Sequence, residues 1–241
     1  MDGFLIIDKP SGMTSHDVVL RVRRLLCLKR VGHTGTLDPM ATGVLPICCG
    51  TATKEAAVIS AGEKEYRAVL RLGLETDTGD IWGKIIRQEE RDRPVSPELL
   101  DLTLNKFKGS IVQLTPAYSA VRYKGDPLHQ WARRGVTVPP LPRQVVISHL
   151  SLLSRNETEL TFLIRCSLGT YIRALLPDIA REFGHLGTVS GLRRLRAGPF
   201  AEAESTPLES LEAAVKSAAD LDFTRLPGYV SLARVKHYAG H

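Results

Sequence analysis

Between residues 66 and 72 the chain alternates. Tyr66, Ala68, Leu70 and Leu72 fall on one side, and Arg67, Val69 and Arg71 on the other. That is the period of a strand with one buried face. Apolar runs without alternation, at 4–7 and 43–49, predict strands buried on both faces. The first stops at Asp8-Lys9-Pro10-Ser11-Gly12, a turn composition. Thr14 then opens a helix with Asp17 in capping-box spacing, and Val18, Val22, Leu25 and Leu26 form its apolar face. Further helices are expected at 53–61, at 97–108 with Pro97 near the first position, at 128–134, at 170–183 despite Pro177, and at 208–219. A strand at 84–88 would close a hairpin over the polar segment 75–83, and 111–114 and 120–124 read as short strands. Segments 143–153 and 159–166 pair around Ser154-Arg155-Asn156, while 220–241 shows little pattern. Helices and strands interleave, yet the strands look mostly hairpin-connected. The expected class is α+β, with a large mixed, mainly antiparallel sheet flanked by helices.

Composition changes this picture little. With 241 residues, 43% hydrophobic and 24% charged, the chain reads as an ordinary soluble protein with a real core. A net charge of +6 leans weakly toward a polyanionic partner. Clustering says more. Arg21, Arg23, Arg24, Lys29 and Arg30 crowd one stretch, and SGLRRLRAG at 190–198 is a second. Solvated faces are the commoner fate of such runs. The four cysteines form no C-x-x-C pair and no zinc spacing, and Cys48 and Cys49 sit in an apolar run as core residues. A reducing compartment follows as the default. The N-terminal apolar run is too short for a signal peptide or membrane span, so a cytoplasmic location is expected.

The usual constellations are missing from the sequence. It holds no G-x-x-x-x-G-K-[ST] loop, no G-x-G-x-x-G and no G-x-S-x-G elbow. His237 and His241 have H-x-x-x-H spacing, but at the frayed end of the chain. No metal and no organic cofactor is assigned. Three polar segments remain. In VGHTGTLDPMATGVLP (31–46), Pro39 restrains the backbone of Asp38, while Gly35 and Gly43 permit unusual backbone or close approach. That suits a fixed aspartate acting as nucleophile or base, although an ordinary Asp-Pro turn is the commoner outcome of such spacing. In CSLGTYIRALLPDIA (166–180), Tyr171 and Arg173 open a helix in a way that suits an anion, or else are a packed tyrosine and a surface arginine. In LTPAYSAVRYKG (114–125), two tyrosines accompany Arg122 and Lys124, as on a base-stacking surface or a plain strand edge.

Taken in order, six segments resemble one family. They are GFLIIDKPSGMTSHDVV (3–19), VGHTGTLDPMATGVLPICCGTATK (31–54), KEYRAVLRLGLETDTGDIWG (64–83), FKGSIVQLTPAYSAVRYKG (107–125), CSLGTYIRALLPDIA and LRRLRAGPF (192–200). Together they resemble the TruB-type tRNA pseudouridine synthases, which isomerise the uridine at position 55 of the tRNA T-loop. The resemblance implies a pseudouridine-synthase-like fold and no cofactor. It makes Asp38 the catalytic aspartate, Tyr66 the tyrosine that stacks on the base and moves a proton, and Arg173 the arginine that pairs with the aspartate. His33 would help hold the T-loop with its uridine flipped out, Lys9 and Pro10 would lie beneath the site, and Tyr171 and Leu192 would wall the pocket. Arg122, Arg193 and Arg194 would meet RNA.

The chemistry is consistent with this. The C1′–N1 bond breaks, the base turns, and C5 rejoins the sugar, with no redox change. An ionised aspartate can attack the sugar or the ring, a tyrosine can act as base, and the target must leave its stack. Three positions depart from the family pattern: Thr115 where proline is usual, Arg122 where lysine is usual, and Leu168 where lysine is common. The expected organisation is a catalytic domain at 1–205 and a short helix and tail at 206–241, without a complete C-terminal RNA-binding domain. Its lack, or a chain that stops before it, would weaken tRNA binding. The expected partner is the tRNA T-loop and T-stem, bound by a monomer without membrane or obligatory protein partner. Two other readings stay open, an RNA-folding protein on the same scaffold and a guide-RNA-dependent relative acting on ribosomal RNA. The bacterial-looking ATGVLP continuation after Asp38-Pro39 speaks against the second.

Overall fold

The strand Gly3–Lys9 is bonded along both edges, which explains its unbroken apolar run. Antiparallel Thr42–Cys49 lies on one side, in register from Gly3 opposite Cys49 to Lys9 opposite Gly43. On the other side, Thr206–Pro207 pairs parallel and Tyr229–Ser231 antiparallel. The computed structural model describes residues 2–89, 95–218 and 222–239. It contains two compact units, Met1–Tyr66 with Leu192–His241, and Arg67–Gly191.

In the first unit, Thr42–Cys49 also takes Val31–His33 antiparallel and the end of Gly187–Ala197 parallel, at Thr42 and Gly43. Phe4, Ile6, Val44, Cys48, Phe200 and Val230 pack at its core, with the Phe4 and Phe200 rings 5.6 Å apart. The helix Ser15–Leu25 starts on the expected capping box: the Thr14 hydroxyl accepts from the Asp17 N–H, and the Asp17 carboxylate accepts from the Thr14 N–H. Val18, Val19 and Val22 are buried beneath it. The helix expected at 53–61 begins instead as a 3-10 turn, Gly50–Glu55, and continues as Ala56–Ala61. The unpatterned tail also holds structure, the Tyr229–Ser231 strand and the Leu232–Ala239 helix, which bury Val230 and Val235. A three-residue strand is too short to show a period. His237 lies in that helix, and His241 is outside the described residues.

In the second unit, Pro142–Arg155 and Glu159–Cys166 form the expected hairpin, and Gly109–Leu114 pairs antiparallel along the outer side of the former. The Asn156 side chain closes the turn by accepting from the N–H groups of Thr158 and Glu159. Leu74–Thr76 and Ile85–Gln88 form the second expected hairpin. The strand expected at 120–124 shrinks to Arg122–Tyr123, turning back onto Asp126–Pro127 because Lys124 and Gly125 both take positive φ, 48° and 93°. Helices Pro97–Lys106 and Ile172–Glu182 pack together on the sheet. The alternation at 66–72 is real: Tyr66, Ala68, Leu70 and Leu72 are all buried within Lys64–Leu72. Pairing is mixed and mainly antiparallel, as an α+β class requires.

Candidate active site

The loop at 34–41 is fastened on both sides of Asp38. Just before it, the Ser15 hydroxyl serves both backbone groups of Leu37, accepting from its N–H at 2.8 Å and donating to its carbonyl at 3.2 Å. Just after it, the Pro39 carbonyl accepts from the Gly12 N–H at 3.0 Å and from the Lys9 ammonium at 3.2 Å. The Ser11 hydroxyl holds the Met40 carbonyl, and the Asp38 carbonyl itself takes the Ala41 N–H. Asp38 is half-buried between buried Leu37 and exposed Pro39. Helix start, Lys-Pro turn and loop thus hold the backbone on either side of one aspartate. Placing the reactive residue on a tied-down loop limits the entropy lost in reaching a reactive geometry.

Three cationic or basic groups surround this loop. Lys9 is fully buried, and its amine donates to the carbonyls of Pro10 at 2.8 Å, Met13 at 2.5 Å and Pro39 at 3.2 Å. Burial pulls its pKa down to about 8, opposed by the Asp38 carboxylate and assisted by the Arg194 guanidinium. His33 ends the Val31–His33 strand, and its Nδ1 accepts the Gly35 N–H at 3.2 Å. Burial, then Arg194 and His16, hold its pKa below the usual value, so the ring is neutral near pH 7 and carries its proton on Nε2. Tyr66 and Leu192 are buried.

Two of the three arginines expected on RNA are placed otherwise. Arg194 is 1% exposed and donates to the Val44 carbonyl at 2.7 Å and the Gly35 carbonyl at 3.1 Å. An interior guanidinium cannot reach a phosphate, so that expectation is corrected. Arg193 grips the Asp8 carboxylate through two bonds, at 3.0 and 2.7 Å, and Glu202 through a third at 2.5 Å. Its charge is already neutralised by carboxylates.

The second unit places Arg173 and Tyr171 together at the start of Ile172–Glu182. Gln113, buried, locks Tyr171 at both backbone groups, accepting from its N–H at 2.8 Å and donating to its carbonyl at 2.9 Å. Arg173 is buried, donates to the carbonyls of Thr78 at 2.7 Å and Tyr118 at 2.9 Å, and lies 3.7 Å from the Asp80 carboxylate. Asp80 also accepts from the Thr78 hydroxyl and the Trp82 N–H. Pro177 has no N–H to return to the Arg173 carbonyl, and Gly79, at φ +75°, packs against that carbonyl where a side chain would collide. Reading 75–83 as a polar turn therefore missed Asp80, which in the sequence is only one of three acids, with Glu75 and Asp77, in a segment broken by Gly79 and Gly83. Gln113 and Ser15 carried no signal. Arg122 stands apart on its hairpin, exposed, bonding the Gly125 carbonyl near a Tyr123–Trp131 edge contact.

The family described as TruB family pseudouridylate synthase (N terminal domain) matches residues 23–172. The chain is 44% identical over 212 residues to tRNA pseudouridine synthase B of Francisella tularensis subsp. tularensis (strain WY96-3418), covering 88% of this chain and 70% of that one. It is 43% identical, with the same coverage, to tRNA pseudouridine synthase B of Francisella tularensis subsp. novicida (strain U112). Among solved structures, it is similar to a chain of a Cbf5–Nop10–Gar1 complex, with TM-score 0.76 and 26% identity, covering 98% of this chain and 62% of that one. A second similar chain belongs to an H/ACA RNP bound to a substrate RNA containing 2′-deoxyuridine, with TM-score 0.65 and 28% identity, covering 88% and 52%. The chain therefore spans less than two thirds of those solved chains. With the family matched over more than half of its length and a curated relative at 44% identity, the chain belongs to the TruB family of pseudouridylate synthases.

Proposed function

We propose that this protein converts uridine to pseudouridine at position 55 of the tRNA T-loop, with Asp38 as the catalytic carboxylate. The observation that carries the reading is the double fastening of the Asp38 loop, by Ser15 before the aspartate and by Gly12 and Lys9 after it. No other carboxylate singled out in the sequence is presented on a loop in this way. The base enters flipped out, Tyr66 stacks on it, and Asp38 attacks or assists at the reacting sugar or ring carbon. The uracil then turns and rejoins C1′ through C5, and Tyr66 takes the C5 proton. Neutral His33 offers its Nε2–H to the loop RNA, and Tyr171 and Leu192 border the base. Family resemblance assigns Arg173 as the guanidinium that serves the aspartate, and its hold on Thr78, Tyr118 and Asp80 supports a fixed orientation. The enzyme acts as a cytoplasmic monomer, with Arg122 among its RNA contacts.

The test is incubation of the purified protein with an unmodified T-loop hairpin and mapping of pseudouridine. Wild type is expected to modify the hairpin unaided, and Asp38→Asn to bind it with similar affinity and leave it unmodified. Wild-type turnover by Asp38→Asn defeats the reading. One solved relative belongs to an H/ACA RNP, so the unaided reaction also separates this proposal from a guide-dependent one.

A further inference from the structure

Among the described residues, the largest fully buried side chain is Arg194, a charge that the proposed chemistry does not use. It sits on the Gly187–Ala197 strand beside Gly43, its parallel partner. Backbone contact there is so close that a side-chain carbon on Gly43, at φ +99°, would run into the Arg194 carbonyl. From this fixed base the guanidinium reaches both margins of the Asp38 loop. Its Nε donates to the Val44 carbonyl, just after the loop, and its Nη2 to the Gly35 carbonyl, near its start. Gly35 in turn gives its N–H to His33, so one guanidinium links the strand, the loop and the histidine. Among the described residues no carboxylate lies within ion-pair distance of it. A buried cation held by carbonyl oxygens alone is costly, and its retention asks for a reason other than stability.

We propose that Arg194 is a positioning residue for catalysis: it ties the two margins of the Asp38 loop to the neighbouring strand and so fixes where the carboxylate stands. Lysine could not do this. Its ammonium can bond several carbonyls, as that of Lys9 does, but only ones gathered round a single nitrogen, whereas the planar guanidinium reaches the Val44 and Gly35 carbonyls from two separate nitrogens. The inference rests on Asp38 being the catalytic carboxylate.

The experiment compares wild type, Arg194→Lys, Arg194→Gln and Asp38→Asn on the T-loop hairpin, below each variant's unfolding temperature. Displacing a reacting group by about an ångström costs up to roughly 100-fold. Arg194→Lys is expected to lower kcat by about 10- to 100-fold, with KM for the hairpin within about twofold of wild type. Arg194→Gln is expected to lose at least as much. A second readout is the NMR titration of His33. Arg194 is among the causes that hold its pKa down, so the titration should shift upward in Arg194→Gln and stay near wild type in Arg194→Lys. Unchanged kcat in a folded variant overturns the proposal. So does a rise in KM with kcat preserved, which would make Arg194 a binding residue. If neither variant folds, Arg194 belongs to the core and not to the loop, and the proposal fails. An active Asp38→Asn removes the functional reading itself, a result distinct from an inactive Asp38→Asn beside a fully active Arg194→Lys.

Discussion

Replacing Ser15 with alanine removes one oxygen, and the structure allows its cost to be worked out. Ser15 is 1% exposed and Leu37 3%, so water reaches neither. The hydroxyl satisfies the Leu37 N–H at 2.8 Å and the Leu37 carbonyl at 3.2 Å. A buried donor left without a partner costs about 1–3 kcal/mol, and the longer bond to the carbonyl adds less. The expected loss is about 2–4 kcal/mol, which for a chain of this size lowers Tm by roughly 5–15 °C. Since Leu37 directly precedes Asp38, kcat on the T-loop hairpin should also fall, by about 10- to 100-fold, with little change in RNA affinity. Ser11→Ala is the comparison. Ser11 also bonds a loop carbonyl, that of Met40, but it is exposed, so water replaces it and the loss stays below about 0.5 kcal/mol. Thermal unfolding and steady-state kinetics on both variants decide the matter. Ser15→Ala with Tm within a degree and kcat within twofold of wild type, or Ser11→Ala as damaging as Ser15→Ala, refutes the reasoning.

Two further outcomes follow from the first unit. Lys9 titrates at about 8 when folded against 10.5 when free, so the unfolded chain binds the extra proton between those values and stability gains as pH rises from 8 to 10.5. The stability difference between wild type and Lys9→Met, measured by urea unfolding, should therefore shift in favour of wild type by up to roughly 3 kcal/mol across that window, and a constant difference contradicts the assignment. Phe200→Ala empties a site 1% exposed against Phe4 and should cost about 3–5 kcal/mol by denaturant unfolding; a loss under about 2 kcal/mol would mean that the core closes over the gap.

What the sequence made legible was what local signals encode. Thr14 and Asp17 are three residues apart, so their capping box can be read without a fold, and the buried face of Lys64–Leu72 follows from a period of two. Ser15 and Leu37 are 22 residues apart, and nothing in either residue's surroundings announces a bond between them. Asp80 was hidden for the opposite reason: the segment 75–83 has the acids and glycines of an exposed turn, yet Asp80 is buried beside the Arg173 guanidinium. In each case the missing information is the tertiary partner, which decides whether a polar side chain is solvated or structural.

Arg194 was misread although its signal was present. Within LRRLRA, counting charges gives a basic patch, whereas a strand period of two puts Arg194 on the same face as buried Leu192. Counting was the wrong operation because it assumed that every arginine faces water. The same correction applies to the net charge of +6. Lys9, Arg173 and Arg194 are interior and bound to carbonyl oxygens, and Arg193 is matched by Asp8 and Glu202. The charge of Arg194 still adds to burial in lowering the His33 pKa, but its donors are already engaged. On the proposed function, contacts with phosphate would fall to residues such as exposed Arg24, Lys29, Arg30 and Arg196 in the first unit and Arg122 and Lys124 in the second. The interior cations differ from the surface ones in what they bind: they hold backbone carbonyls in place inside the fold.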